Sequence, residues 1–533
     1  MNEETLAGAI ALTLTDLGVK RMFGVPGGGS SLDLIDASAK HGIDFVLSRT
    51  ENAAAIMAAV TGEMTGAPGV VLTGIGPGAA SVTNGVAYAS LERAPLIVFT
   101  DAHEETAIAP PHQIFDQRSM FEPITKARCR LNAEDGATVF AELADMAITE
   151  PPGPVHIDLS AKVAGTAIKS KTAETPEPFK QQIIGDLSAV TRVIEATEKP
   201  VLIVGHQCRP QKRAEAAIRL ARALNGPVMT TYKAKGVFPE TDALFVGAFT
   251  NAQLDHSVLA ESDLIVLCGV DPVEMIPGNW THDAPVVVLS ETAGLALPFV
   301  AAEAISGPLA DIAAPLSETK VKSAWKPEKI AAHRDRLRQT IANNSTPGRS
   351  PDEVIDAVSA AAPAGTRLAV DAGAHMFSTM ARWPAAAPHD VLKSNGLSTM
   401  GFALPAALAS WLEEPDRPAV AVTGDGGMMM CLGELSTASR LSANVTIVVF
   451  NDAALSLIDI KQQRQQRPPL GVRYPKSNFA DAARALGCDA WTVGAQDPLE
   501  FALSEAFETD GPTLVDVTVD PSGYRDQLTA LRG

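Results

Sequence analysis

The chain has 533 residues, 46% apolar and 20% charged, and carries a formal net charge of −19. That length exceeds one ordinary core and calls for several domains, while the acidic balance argues against nucleic acid or an anionic membrane as a main partner. The five cysteines are scattered without a CxxC pair, which argues against a disulfide framework or a cysteine zinc site and fits a reducing cytoplasm.

The first residues, Met-Asn-Glu-Glu-Thr, put no basic segment ahead of an apolar run, so no signal peptide is expected. Apolar runs such as 445–450 are too short to cross a bilayer. An amphipathic helix is predicted near 5–17, followed by a strand at 21–25 that ends in Pro26-Gly27-Gly28-Gly29. Further strands are expected at 44–48, 69–73, 95–100 and 154–159, with an Ala-rich helix over 51–65. Residues 166–186 are polar and Pro-containing, as a linker would be.

A second α/β unit follows, with strands expected at 201–204, 227–230, 264–268 and 285–289. A charged helical stretch over 318–344 then leads to Ser345-Thr346-Pro347-Gly348, a second boundary. The last unit carries strands at 367–370, 419–423, 446–450 and 513–519. Short apolar strands alternating with helices predict parallel sheets covered on both faces. The fold class is therefore α/β, three consecutive doubly wound parallel-sheet domains over 1–165, 186–315 and 350–533.

The most informative segment is 421–454, where a strand ends in Gly424-Asp425-Gly426-Gly427 and a second strand ends in Asn451-Asp452. Both tips lie on the carboxyl edge of a parallel sheet, where open α/β sheets bind ligands. Asp425 and Asp452 can therefore converge on one hard cation such as Mg²⁺, which takes carboxylate and phosphate oxygens. The glycines and the helix start near Gly427 offer backbone donors to a diphosphate. Taken alone, Gly-Asp-Gly also fits a solvated turn.

This strand–GDG–helix–strand–Asn/Asp arrangement resembles the metal-diphosphate motif of thiamine-diphosphate enzymes, in particular acetolactate synthase-like members. The resemblance implies a metal held by Asp425, Asp452 and the carbonyl of Ala454, with Leu455, Ser456 and Leu457 lining the cofactor pocket. Arg49-Thr50-Glu51-Asn52-Ala53-Ala54 resembles the family stretch whose Glu acts on the aminopyrimidine ring, which makes Glu51 the candidate catalytic acid. Its alternative is a residue that merely favours the first turn of a helix. Phe23-Gly24-Val25-Pro26-Gly27-Gly28 and Gly74-Ile75-Gly76-Pro77-Gly78 are similar to the pyrimidine-side loops, with Asn84 at a position of open role.

Pro111-His112-Gln113 and Phe121-Glu122-Pro123-Ile124-Thr125-Lys126 resemble a segment of catabolic acetolactate synthases. That implies Gln113 at the reacting centre and His112 either as proton donor or as pocket wall. Glu122 departs from the family's Arg, which puts recognition on that side in doubt. Ser394-Asn395-Gly396-Leu397-Ser398-Thr399-Met400-Gly401 is similar to the loop whose Met wedges between the cofactor rings, and unbranched, polarizable Met400 suits that place. Asp371-Ala372-Gly373-Ala374-His375 matches the diphosphate loop, with His375 as the contact. Lys235-Gly236-Val237-Phe238-Pro239-Glu240 also matches acetolactate synthases, but no flavin loop is evident, and FAD is not expected.

The whole resemblance implies thiamine diphosphate and Mg²⁺ as cofactors and a cytoplasmic transferase or lyase acting on a 2-oxo acid. It also implies a homodimer or homotetramer with the active site at the subunit interface. The expected reaction is 2-oxo acid decarboxylation with carboligation. The alternatives are a non-ligating decarboxylase or C–C lyase and a non-catalytic cofactor-binding paralogue. The stretch Lys461–Arg467 is cationic and reads either as contact to a substrate anion or as a solvated helix face.

Overall fold

The computed structural model describes residues 4–104, 112–168, 181–343 and 347–532. The linker read at 166–186 lies largely outside the described residues, as do Ser345 and Thr346 at the second boundary and Pro111.

Among the described residues, eighteen strands form three six-stranded sheets. The first contains β1 (Arg21–Val25), β2 (Asp44–Leu47), β3 (Gly69–Thr73), β4 (Leu96–Ala102), β5 (Ala127–Arg130) and β6 (Pro154–Ser160). The second contains β7 (Pro200–Val204), β8 (Val228–Thr230), β9 (Phe245–Ala248), β10 (Leu264–Cys268), β11 (Val286–Ser290) and β12 (Glu303–Ser306). The third contains β13 (Arg367–Val370), β14 (Val391–Lys393), β15 (Ala419–Gly424), β16 (Val445–Asn451), β17 (Asp489–Val493) and β18 (Thr513–Thr518). Every pairing between named strands is parallel. The chain is thus α/β with three doubly wound sheets, as the alternating pattern requires.

The strand orders are β2-β1-β3-β4-β6-β5, β12-β11-β10-β7-β8-β9 and β14-β13-β15-β16-β18-β17. In the first sheet the chain steps outward from β1 to β2 and returns on the other side of β1. The third sheet does the same around β13. Each reversal opens a crevice at the carboxyl ends of two neighbouring strands, β1 with β3 and β13 with β15. The loops read as cofactor-binding from sequence follow those strands.

The first and third sheets share a core. The helix Glu51–Thr65 starts because the Thr50 hydroxyl accepts from Ala53 N, and ends at Gly66 in the left-handed region (φ 76°). Its Ala54, Ala55, Ala58 and Ala59 are buried in one apolar cluster with Ala403, Ala406, Ala407 and Ala409 of the helix Ala403–Glu413. Small side chains on both surfaces let the two helices pack closely. Polar ties flank this seam: Glu434 accepts from Arg49 N (3.0 Å) and Thr50 N (3.1 Å), and Arg21 pairs with Glu413 at 2.8 Å.

All three domains meet at a buried ionic cluster. Glu63 bonds Lys233 (2.7 Å) and Arg209 (2.8 Å) of the central domain. Glu92 pairs with the same Lys233 (2.9 Å) and accepts from Asn395 N (2.6 Å) and Gly396 N (2.7 Å) in the third. Burial alone would push the Glu63 carboxyl up, but Lys233 and then Arg209 overcome it and hold it at about 2. A carboxyl whose folded value lies below its unfolded one contributes stability at neutral pH that is lost as pH falls from about 4.5 towards 2.

Replacing Glu63 by Gln leaves two buried cations without their shared partner, and a loss of roughly 3–5 kcal/mol is expected. Denaturant unfolding at neutral pH measures that loss. The difference between the two proteins should shrink as the pH is lowered towards 3; a constant gap would remove the charge of Glu63 from the account.

Candidate active site

The crevice of the first sheet opens into a cleft of about 580 Å³ lined by Pro26, Gly27, Gly28, Glu51, Pro77, Gly78, Asp101 and Gln113, among others. Glu51 is the first residue of its helix, and its Oε1 would lie 3.3 Å from a Cβ built on Gly78. Its carboxylate makes no hydrogen bond or ion pair among the described residues. An unpartnered acid therefore stands beside walls made by Pro26, Ile75, Pro77 and Ala102.

Gln113 reaches this cleft on a strained backbone. Its φ is +63°, rare for a residue with a side chain. The neighbouring Gly76 (φ +65°) permits it: a Cβ there would meet the Gln113 carbonyl oxygen at 2.3 Å. Gly76 does not line the cleft. Its N–H donates to Gln117 Oε1 (2.8 Å), and the Gln117 amide donates on to Asp158 Oδ1 (2.8 Å). His112 is exposed and its side chain is not part of the lining. Its carbonyl accepts from His103 Nε2 at 2.8 Å, which tethers the approach to Gln113. Asn84 also lies outside the cleft, with its amide bonded to Asn52 (2.9 Å) and to Thr399 (3.1 Å) beside the Met400 loop.

The crevice of the third sheet is a second cleft, of about 400 Å³. It gathers Gly373, Ala374, His375, Ser398, Met400, Gly424, Asp425, Gly426, Gly427, Asp452, Ala454, Leu455, Ser456 and Leu457. Strands β15 and β16 are neighbours, with Gly424 opposite Phe450, so Asp425 and Asp452 leave adjacent tips. Asp425 accepts from Ala453 N (2.7 Å), Gly426 N (2.6 Å) and the Tyr474 hydroxyl (2.7 Å). Asp452 accepts from Ala454 N (3.2 Å) and the Ser456 hydroxyl (2.5 Å). Burial, with the Asp425 charge adding to it, pushes the Asp452 carboxyl up to about 7 despite the Ser456 bond. Burial also pushes Asp425 up, against its hydrogen bonds.

Two desolvated carboxylates side by side fit a divalent cation, whose charge offsets both penalties. Among the described residues no three His, Cys, Asp or Glu side chains cluster as metal ligands. A cation here would fill its remaining positions with carbonyl, phosphate and water oxygens, the usual set for Mg²⁺. The anion side of the cleft is equally specific. His375 is fully buried and held neutral, near 3, by burial alone, and its Nε2 has no hydrogen-bond partner. That orphaned atom, on a ring packed against glycines 373 and 424, fits a diphosphate oxygen as its missing partner.

The loops of this cleft converge on one acid. Asp371, fully buried after β13, accepts from Gly401 N (3.0 Å), Phe402 N (2.6 Å), Ala403 N (2.7 Å) and the Thr423 hydroxyl (2.7 Å). It thereby ties the Met400 loop to the end of β15. Met400 Cε would lie 3.1 Å from a Cβ on Gly426, so the thioether chain lies against the GDG turn.

The comparisons with known proteins agree with this layout. Residues 4–121 match the model of the thiamine pyrophosphate enzyme N-terminal TPP binding domain, 187–292 the central domain and 371–517 the C-terminal TPP binding domain. The chain belongs to the thiamine pyrophosphate enzyme superfamily. Among its relatives, the catabolic acetolactate synthase of Raoultella terrigena is 29% identical over 98% of this chain and 95% of the relative. The acetolactate synthase of Bacillus subtilis is 26% identical, covering 97% and 92%. A protein of Pseudomonas aeruginosa named probable 2-ketoarginine decarboxylase is 27% identical, covering 96% and 94%. This thiamine pyrophosphate enzyme is thus acetolactate synthase-like along nearly its whole length.

Three residues that hold parts of the clefts in place escape the motif reading. Asp101, at the end of β4, accepts from Gly29 N (3.1 Å), Ser31 N (2.8 Å) and the Ser30 hydroxyl (2.7 Å), and so pins the first glycine loop. An acid at a strand's carboxyl tip was the available signal. Gln117 and Tyr474 had none, because each acts across a loop whose return path no local pattern encodes.

A Cβ on Gly427 would lie 2.1 Å from Asp371 Oδ2. That carboxylate cannot swing away from the donors it holds, so Gly427→Ala should destabilise the protein by about 1–3 kcal/mol. Thermal unfolding of the cofactor-free protein measures the loss, and an unchanged melting temperature would show that the Asp371 cluster yields.

Proposed function

We propose that the protein is a thiamine-diphosphate- and Mg²⁺-dependent enzyme that decarboxylates a 2-oxo acid and joins the remaining fragment to a second carbonyl compound, as the names of its acetolactate synthase relatives suggest. The observation that carries this reading is the convergence of Asp425 and Asp452 at neighbouring strand tips, beside the orphaned Nε2 of His375.

When bound, thiamine diphosphate supplies an electron sink for the pair released as the carboxyl carbon departs. The chain's own residues do the rest. Asp425, Asp452 and the Ala454 carbonyl would hold the cation. His375 and the backbone at Gly373, Gly424 and Gly427 would take the diphosphate. Tyr474 and Ser456 keep the two acids oriented. Glu51, with its carboxylate free, would hold or release a proton at the aminopyrimidine ring nitrogen, and Gln113 would orient the reacting carbonyl.

The two clefts share no lining residue, and each is built by one domain. Apolar side chains stand exposed beside both: Ile114 and Phe115 next to Gln113, Met429 and Met430 next to Gly427. A homo-oligomer that sets the first-domain cleft of one subunit against the third-domain cleft of another would bury them and complete the site.

Incubating the purified protein with thiamine diphosphate, Mg²⁺ and single 2-oxo acids tests the reaction. A 2-hydroxy-2-alkyl-3-oxo acid as product supports carboligation, a free aldehyde supports the decarboxylase reading, and no turnover despite cofactor binding overturns both. Glu51→Gln should lower kcat by about 10²–10⁴-fold while thiamine diphosphate still binds; full activity would take Glu51 out of the proton transfer. Tyr474→Phe should weaken Mg²⁺ or Mn²⁺ binding to the cofactor-loaded protein by about 10–100-fold in calorimetric titration. An unchanged affinity would make that hydroxyl structural only.

A further inference from the structure

The helix Ser456–Arg464 carries three charged side chains, and two are engaged within the fold. Asp459 pairs with Arg473 at 2.8 Å, and the Arg464 guanidinium bonds the Thr529 hydroxyl. Lys461 is different. It is exposed, it lines the third-domain cleft, and its ammonium has no ion-pair or hydrogen-bond partner among the described residues.

Position along the helix fixes what Lys461 faces. Leu457, Ile458 and Lys461 follow one another on the face that lines the cleft. Lys461 stands one turn, about 6 Å along the axis, beyond Leu457. Leu457 is itself one residue beyond Ser456, whose hydroxyl holds Asp452. Leading away from the acid pair along this helix, the cleft therefore runs from two carboxylates, over an apolar step made by Leu457 and Ile458, to a free cation, and Met376 and Phe377 add apolar surface to the same lining. Burial holds His375 neutral, so among the described residues Lys461 is the one positive side chain in the lining. A strongly hydrated ammonium left at the end of an apolar step gains most from an anion brought to it by a bound molecule.

We propose that Lys461 is a specificity-determining residue that selects a substrate bearing a second anionic group, such as a carboxylate, sulfonate or phosphonate, beyond a short apolar spacer from its reacting carbonyl. This rests on the proposed function and names the substrate class of that same site. Lys461 acts in binding: it neutralises the distal anion while Leu457 and Ile458 cover the spacer.

The test uses the protein loaded with thiamine diphosphate and Mg²⁺, and has one arm that needs no turnover. In calorimetry, glutarate should bind and butanoate, which lacks the second carboxylate, should bind more weakly. Lys461→Gln should remove about 10–100-fold of the glutarate affinity, the range of a charge-assisted contact. Equal binding of the two acids, no glutarate binding, or an affinity indifferent to Lys461→Gln overturns the proposal while leaving the proposed function standing.

In the second arm, 2-oxo acids ending in carboxylate, sulfonate or phosphonate are compared with methyl-ended analogues of similar length. The kcat/KM ratio should favour the anionic ends, and Lys461→Gln should collapse that ratio through KM. Lys461→Glu should invert it in favour of a guanidino-ended 2-oxo acid. A loss shared equally by all substrates, or a matching loss of thiamine diphosphate affinity, would make Lys461 a cofactor contact and overturn the proposal. No turnover of any 2-oxo acid would instead sink the proposed function, and with it this refinement.

Discussion

One buried carboxylate organises the third-domain cleft. Asp371 gathers three consecutive backbone amides from the start of the helix Ala403–Glu413 and one hydroxyl from β15. Burial pushes its carboxyl up while those donors pull it down. Without it, the loop after β13, the loop bearing Met400 and the GDG turn would each have to find its own geometry. Because all three are fixed to one side chain, the cradle is set before any ligand arrives, which is what preorganisation requires.

The first domain uses the same device from a different strand, since β4 corresponds in the sheet order to β16 and not to β13. Asp101 leaves the end of β4 and gathers donors from Gly29, Ser30 and Ser31, holding the glycine loop that follows β1. In both sheets a buried acid takes the amides of a loop at the crevice and holds that loop in place. The groups left free differ. Among the described residues, the Glu51 carboxylate is unpartnered in the first cleft, and the His375 Nε2 and the Lys461 ammonium are unpartnered in the third. Each belongs to a residue that lines its cleft.

Much of this was legible in the sequence. The thirteen strands expected from apolar runs all exist, and all but the edge strand β2 are central, buried on both faces and read from short apolar runs. The five that escaped, β5, β9, β12, β14 and β17, all lie at sheet edges. Segments such as Ala127–Arg130 and Glu303–Ser306 have only one neighbour and one covered face, so polar residues interrupt the pattern. The glycine loops and the two acids at strand tips were readable because strand, turn and helix are contiguous there. Tyr474 was not, since Leu455 N must bond Val472 O across a loop before its hydroxyl reaches Asp425. His112 and Asn84 sit beside their clefts instead of in them, since a sequence motif fixes neighbourhood but not which side chain turns inward.

The junction at Glu92 has a consequence for how such a chain can be divided. One carboxylate from the first domain serves a lysine of the second and two amides of the third. Isolating any one sheet would expose to water a charge or a pair of donors that is buried and paired in the intact chain. The three units, although each wound around its own sheet, are therefore committed to one another, and a recombinant exchange of a single unit with a distant relative would have to carry its matching partners along.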